Sequence, residues 1–197
     1  MVLTALAVLA SAVFVARLLP QPARLARLGV ADGVSALAAM NAVVAATAWL
    51  AYGLAESLPA VWIVSLVALV PGVWTVALLR RLITRGDVVW TGLWVAVLLG
   101  AGAGGLLAAA LGLGVIVTQG PQVVRAFRSH SVDGLAPATW WVSILDATTW
   151  GVYGLALGDL ALMGYGVVLL TAAVLVLGRI RWVRGRSTVP AIAVSAS

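Results

Sequence analysis

The chain has 197 residues, 63% of them apolar and 9% charged, with a formal net charge of +6 and a mean hydropathy of +1.14. A soluble domain is about 45–50% apolar and about 25% charged. This composition therefore excludes a water-soluble enzyme, a nucleic-acid binder and a disordered chain, and makes the lipid bilayer the first expected partner. All twelve basic residues are arginine, and cysteine is absent, so disulfides and thiolate metal sites are excluded.

A membrane-crossing helix needs about 20 mostly apolar residues. In chain order the uncharged or nearly uncharged stretches are residues 2–20 (interrupted by Arg17), 34–55, 57–79, 88–124, 134–158 (holding Asp146) and 160–178. Residues 88–124 would make one helix of about 55 Å, too long for one crossing and enough for two short ones. The run Gly100-Ala-Gly-Ala-Gly-Gly105 is the natural turn, because glycine accepts the backbone angles a turn needs. Seven helices result. Arginine placement supports this count. Arg17, Arg24 and Arg27 end helix 1; Arg80, Arg81 and Arg85 follow helix 3. Arg125 and Arg128 follow helix 5, and Arg179, Arg181, Arg184 and Arg186 follow helix 7. All twelve then lie on one side, which the positive-inside rule makes cytoplasmic. The expectation is a multi-pass protein of the cell membrane, with its N-terminus outside and its C-terminus in the cytoplasm. A six-helix count would split the arginines between sides. The Ala10-Ser-Ala12 sequence resembles a signal-peptide cleavage site, but the basic residues follow the apolar run instead of preceding it, so helix 1 is read as a retained span.

The sequence repeats at an offset of 101. Pro20-Gln21 becomes Pro121-Gln122, Arg24 and Arg27 become Arg125 and Arg128, and Asp32-Gly33 becomes Asp133-Gly134. Ala46-Thr47 becomes Ala147-Thr148, Trp49 becomes Trp150, and Tyr52-Gly-Leu-Ala55 becomes Tyr153-Gly-Leu-Ala156. The offset maps helices 1–3 onto 5–7 and leaves helix 4 over. Two odd-numbered units keep the same orientation only if an extra helix inverts the chain between them. The expected architecture is therefore all-α and integral to the membrane. Its 3+1+3 layout comprises a first triple-helix repeat at 1–81, a linker helix at 82–102, a second repeat at 103–182 and a disordered cytoplasmic tail at 183–197. Parallel repeats of this kind are a transporter architecture, with the solute near the midplane between the halves.

Two Pro-Gln dipeptides, each followed by basic residues, Asp-Gly and a helix ending Trp-x-x-Tyr-Gly, resemble the PQ-loop superfamily. The 3+1+3 layout is similar to its SWEET branch, and each half to a bacterial SemiSWEET. The resemblance covers roughly residues 1–182. It implies transport of a small polar solute by alternating access, with sugar as the SWEET default and proton-coupled export of amino acids, as in cystinosin, as the rival. It also implies a hinge at each Pro-Gln, here Pro20, Gln21, Pro121 and Gln122. Sugar carriers of the family hold an asparagine on the third helix of each unit. The matching positions here are Ser65 and Gly166, a double departure from the sugar site.

Several residues can carry the chemistry. Pro20 and Pro121 would each free a backbone carbonyl, of Ala16 and Val117; they are either hinges or helix terminators. Residues at i, i+4, i+8 and i+11 share a helix face. That face reads Asn41, Ala45, Trp49, Tyr52 in helix 2 and Val142, Asp146, Trp150, Tyr153 in helix 6. One reading makes the tryptophans pocket walls and gives Asn41 and Asp146 the hydrogen bonds; the other makes the indoles interfacial anchors. Trp62, Trp74, Trp90, Trp94, Trp140 and Trp182 fit the interfacial belt. Asp146 is the only acidic residue inside a predicted span, and such groups mark solute or proton paths. It is either functional or a structural partner of Arg17 or Thr118. Ser65 and Tyr165 are expected on the cavity wall from the family geometry. His130, alone in a basic loop, reads as solvated surface. Small residues at Gly104, Ala108 and Gly112 suit close helix packing, within the chain or in a homo-oligomer. No catalytic constellation, metal cluster or cofactor motif appears, so neither enzyme activity nor a cofactor is expected. A non-transporting receptor or packing protein is the reading from another class.

Overall fold

The computed structural model describes residues 2–187. Those residues are helical throughout, apart from short connections. The helices are α1 (Val2–Leu18), α2 (Pro20–Leu28), α3 (Ala36–Ala55), α4 (Pro59–Leu79), α5 (Arg85–Ala103), α6 (Leu107–Arg128), α7 (Pro137–Leu157) and α8 (Leu160–Ser187), with a 3-10 turn at Arg80–Leu82. α1 and α2 follow one another through Leu19 and count as a single pass, giving seven. Six passes are long and apolar enough to cross a membrane. α7 has the length, at 21 residues, but is not among the six. Its apolar character is diluted by Asp146, Ser143, three threonines and three tryptophans, and it turns Trp140, Ser143, Asp146, Trp150 and Tyr153 inward against α1 and α8. The other helices present apolar side chains outward, such as Val70, Leu99, Leu113 and Val167. Water would not tolerate that face, and hydrocarbon matches it.

Residues 88–124 do form two helices, α5 and α6. α5 runs through most of the glycine run, and the chain reverses at Gly104 and Gly105. Gly105 has φ +72°, a left-handed angle that costs a residue with a Cβ. The hairpins at the opposite ends of the two motif-bearing helices are alike. Leu58 N–H donates to Gly53 O at 2.8 Å, and Asp159 N–H donates to Gly154 O at 2.8 Å. A Cβ on Gly53 would lie 2.7 Å from the Trp62 nitrogen, and one on Gly154 would lie 2.8 Å from the Met163 nitrogen. Each Tyr-Gly pair thus lets the next helix start in direct contact.

Two apolar clusters close the ends. At the arginine end, Leu25, Leu79, Val132, Leu135, Trp140 and Val176 pack together. At the glycine-turn end, Ala10, Val61, Trp150, Tyr153 and Leu162 do so, with Leu6 and Leu58 alongside. Gly112 approaches the Ala161 backbone, and Gly164 approaches Gly112, so this one member of the small-residue stripe packs α6 against α8 of the same chain, while Ala108 packs beside Trp94 and Leu98. α8 continues to Ser187, so residues 183–187, expected in a disordered tail, are helical; the rest of that tail lies outside the described residues. Trp94 and Trp140 depart from the belt reading. They are 7% and 4% exposed, Trp94 filling the space beside Gly114. Trp90, Trp74 and Trp182 are exposed, as belt residues would be.

Candidate functional site

The Pro-Gln motifs meet the loops of the opposite half. The Gln21 amide donates to Gly134 O at 2.9 Å, and its oxygen accepts from Ala136 N–H at 3.0 Å. The Gln122 amide donates to Gly33 O at 2.6 Å, and its oxygen accepts from Ser35 N–H at 2.9 Å. These are the same contacts after the 101-residue offset, exchanged between halves. Gly134 N–H also donates to Asp32 O at 3.1 Å, joining the two Asp-Gly loops directly. The glutamines, expected at hinges, each clamp the loop of the other Pro-Gln unit across the arginine end. The prolines act differently from one another. Pro20 starts α2 after the break at Leu19. Pro121 lies inside an unbroken α6, and the carbonyl it frees, Val117 O, accepts from the Asn41 amide at 3.1 Å.

Above the clamps lies a cavity of about 120 Å³ between α1, α3, α4, α6, α7 and α8. Trp49 and Trp150 form part of its wall, with Ser65, Tyr165, Arg17, Thr118 and Gln119 as its polar groups and alanine, valine, leucine and glycine as most of the rest. Trp49, Trp150 and Ser65 are thus brought together as expected from the sequence. The Ser65 hydroxyl donates to Val61 O at 2.7 Å, which occupies its hydrogen. Gly166 has no space for a side chain: a Cβ there would stand 2.7 Å from Ala147 O and 2.8 Å from the Gly151 Cα.

Four expected site residues are not on the wall. Asn41, 2% exposed, spends its amide on Val117 O and its oxygen on the Thr91 hydroxyl of α5, at 3.1 Å. Tyr52 and Tyr153 support the tryptophans edge-on, with ring centroids 5.6 and 5.7 Å away. The Tyr52 hydroxyl donates to Asp159 at 2.9 Å, a carboxylate whose other oxygen caps the start of α8 by accepting from Ala161 and Leu162 N–H. Asp146 is fully buried behind the wall. Its Oδ2 lies 2.9 Å from Arg17 Nε and accepts from the Tyr165 hydroxyl at 2.6 Å. Arg17 Nη2 in turn donates to that hydroxyl at 3.2 Å. Asp146 Oδ1 has no hydrogen-bond partner, nor has the Trp150 indole N–H. The structural partner of Asp146 is therefore Arg17, not Thr118, whose hydroxyl donates to Val115 O.

Tyr165 lines the cavity as expected, and Arg17, named from the sequence only as one possible structural partner of Asp146, lines it as well. Arg17 sits three residues before Pro20 and counts as a span-end arginine on sequence alone. The lone buried acid favours Arg17 over Thr118 as its partner: an ionised carboxylate in an apolar interior needs a cation, and Arg17 is the arginine placed within a span. Phe14 covers the guanidinium on one side, 5.0 Å from its ring centroid, and the Trp49 and Tyr165 rings meet edge-on at 6.1 Å. Among the described residues no group of acidic, histidine or cysteine side chains could hold a metal ion. No family model, curated protein or solved structure matches this chain.

Proposed function

We propose that this protein is a multi-pass carrier of a small polar solute, working by alternating access between two parallel triple-helix halves joined by α5 as a linker. The observation that carries this reading is the pair of exchanged glutamine clamps beneath a cavity at the junction of the halves. Equivalent contacts made twice, each half holding the loop of the other, suit two units that rock about a common axis. The cavity lies where such rocking would expose it to one side and then the other. The repeat, the Pro-Gln motifs and the tryptophan pair supply the resemblance to SWEET-like PQ-loop proteins, and the one-sided arginines favour a cytoplasmic face at the clamp end. A cavity with paired aromatic walls also favours transport over a receptor or packing role. Facilitated movement is the leading mode: Arg17 already provides the counter-charge to Asp146, so the carboxylate needs no proton to sit in the interior. Proton-coupled transport remains the second reading because Asp146 is fully buried at the cavity's edge. Purified protein in liposomes, tested by counterflow with sugars, amino acids and organic acids, with and without a pH gradient, decides it. Exchange of any one solute class supports the carrier. Uphill uptake driven by the pH gradient and lost in Asp146→Asn would select the proton-coupled mode. Intact protein that exchanges none of them would overturn the proposal.

A further inference from the structure

The geometry points to a solute that carries a carboxylate, held by the guanidinium of Arg17. This rests on the carrier reading for where the solute sits, and the charges of the cavity wall carry it further. Of the two ionic groups at the site, only Arg17 faces the cavity. Asp146 is wholly covered, with the Tyr165 hydroxyl donating to its Oδ2 and Arg17 Nε 2.9 Å from the same oxygen. A solute therefore meets a positive group first. A solute ammonium would have to displace both covering side chains to reach the acid.

Arg17 also has donors to spare. A guanidinium offers five N–H groups in a planar fork. Nε stands 2.9 Å from Asp146 Oδ2 but has no hydrogen-bond partner, one Nη2 hydrogen goes to Tyr165, and Nη1 makes no hydrogen bond. A fork with an unused edge in an apolar enclosure matches the two oxygens of a carboxylate. Sugar hydroxyls are neutral acceptors and lack the charge assistance that a carboxylate gives to such bonds. The rest of the wall agrees. Gln119 adds an amide beside Arg17, and the Thr118 and Ser65 hydroxyls have already given their hydrogens to backbone carbonyls, so few groups are left to read a ring of hydroxyls. The alanine and valine surface suits a short alkyl body.

The test compares matched solutes on purified protein, with binding read by tryptophan fluorescence and exchange read by liposome counterflow. The probes are L-lactate and L-alanine, their amides lactamide and alaninamide, and glucose. The expected result is that lactate or alanine binds, and that the matching amide binds about 10- to 100-fold more weakly, the worth of a hydrogen bond to a charged group. Lactate and alanine together would mean that the carboxylate alone is read; alanine without lactate would mean a zwitterion held by the same end. Arg17→Met alone strands Asp146 and can fail to fold, so the decisive variant is Arg17→Met with Asp146→Asn, which removes both charges. It should lose the preference for acid over amide. Glucose binding in place of the acids, alaninamide binding better than alanine, no binding of any probe, or an unchanged acid preference in the double variant would each overturn the inference. Acid binding without counterflow would leave it standing and sink the carrier reading instead.

Discussion

The Arg17–Asp146 pair makes a quantitative prediction. The carboxylate is fully buried and the arginine side chain is 13% exposed, with 2.9 Å between Nε and Oδ2. An ion pair on a solvated surface is worth about 0–1 kcal/mol, but removing one member of a buried pair strands the other and costs about 3–5 kcal/mol. Arg17→Met leaves Asp146 with only the Tyr165 hydroxyl, so the full range is expected there. Asp146→Asn leaves an arginine that still borders the cavity, so its loss should fall at the lower end. For a chain of this size about 1 kcal/mol corresponds to about 2–4 °C, so Arg17→Met should lower the unfolding temperature by about 6–20 °C. The double variant carries no buried charge, and replacing both partners is often neutral; it should unfold within about 1 kcal/mol of the parent protein. Thermal unfolding in detergent, followed by size-exclusion chromatography of the heated samples, measures all three. A double variant whose loss equals the sum of the two single losses would show that the residues are not coupled, and the reasoning would fail.

Cysteines placed singly at Gly102 and His130, both exposed, should react with an impermeant reagent from opposite sides of intact cells; reaction from the same side would refute the seven-pass topology. Trp49→Ala and Trp150→Ala should each weaken solute binding at least tenfold, about 1.4 kcal/mol, while Trp90→Ala, 64% exposed, should leave it unchanged; equal effects at all three would make the wall tryptophans mere anchors. Gln122→Ala strands the Gly33 carbonyl and the Ser35 N–H, at about 1–3 kcal/mol for each group left unpaired in the interior, and should speed modification of a cysteine at the otherwise covered Val132. Ser65→Asn should fold, because Ser65 borders the cavity, whereas Gly166→Asn should unfold at a lower temperature, its Cβ meeting Ala147 O and Gly151 at under 3 Å; equal tolerance at the two sites would contradict the packing described.

What the sequence made legible followed from pattern. The uncharged stretches located the helices, the glycine run located the α5–α6 turn, and the offset of 101 paired the residues that make the two glutamine contacts. The Trp-x-x-Tyr spacing correctly put ring beside ring. What stayed hidden depended on which face a neighbouring helix covers. Asn41 shares a helical face with Trp49, yet its amide is taken by Val117 O and by Thr91. Those partners come from α6 and α5, and spacing along α3 carries no record of them. The same holds for Trp94, which reads as a belt residue until the glycine opposite it, Gly114, is known. Arg17 was obscured by its position. The positive-inside count needs only its place along the chain, whereas its chemistry depends on its direction, inward toward α7 and α8.

The two halves divide their labour between what the repeat keeps and what it varies. The backbone contacts are kept: Pro-Gln, Asp-Gly and Tyr-Gly recur, and the clamps and hairpins they build recur with them. The polar groups on and behind the cavity wall are varied, while its tryptophan pair, Trp49 and Trp150, is kept. At the 101-residue offset, Arg17 corresponds to Thr118, Ala45 to Asp146, Val64 to Tyr165, Asn41 to Val142 and Ser65 to Gly166. All three members of the charged cluster thus lack a counterpart of their kind, and the cluster spans the junction, with Arg17 from the first half and its partners from the second. A symmetric wall would present two equal sites to a solute and suit a molecule with two like ends. An asymmetric wall presents one charged side and one neutral side, which under the proposed carrier function would suit a solute with a head and a body. Under the same proposal the repeat would set how the halves move together, and its departures would set what they hold.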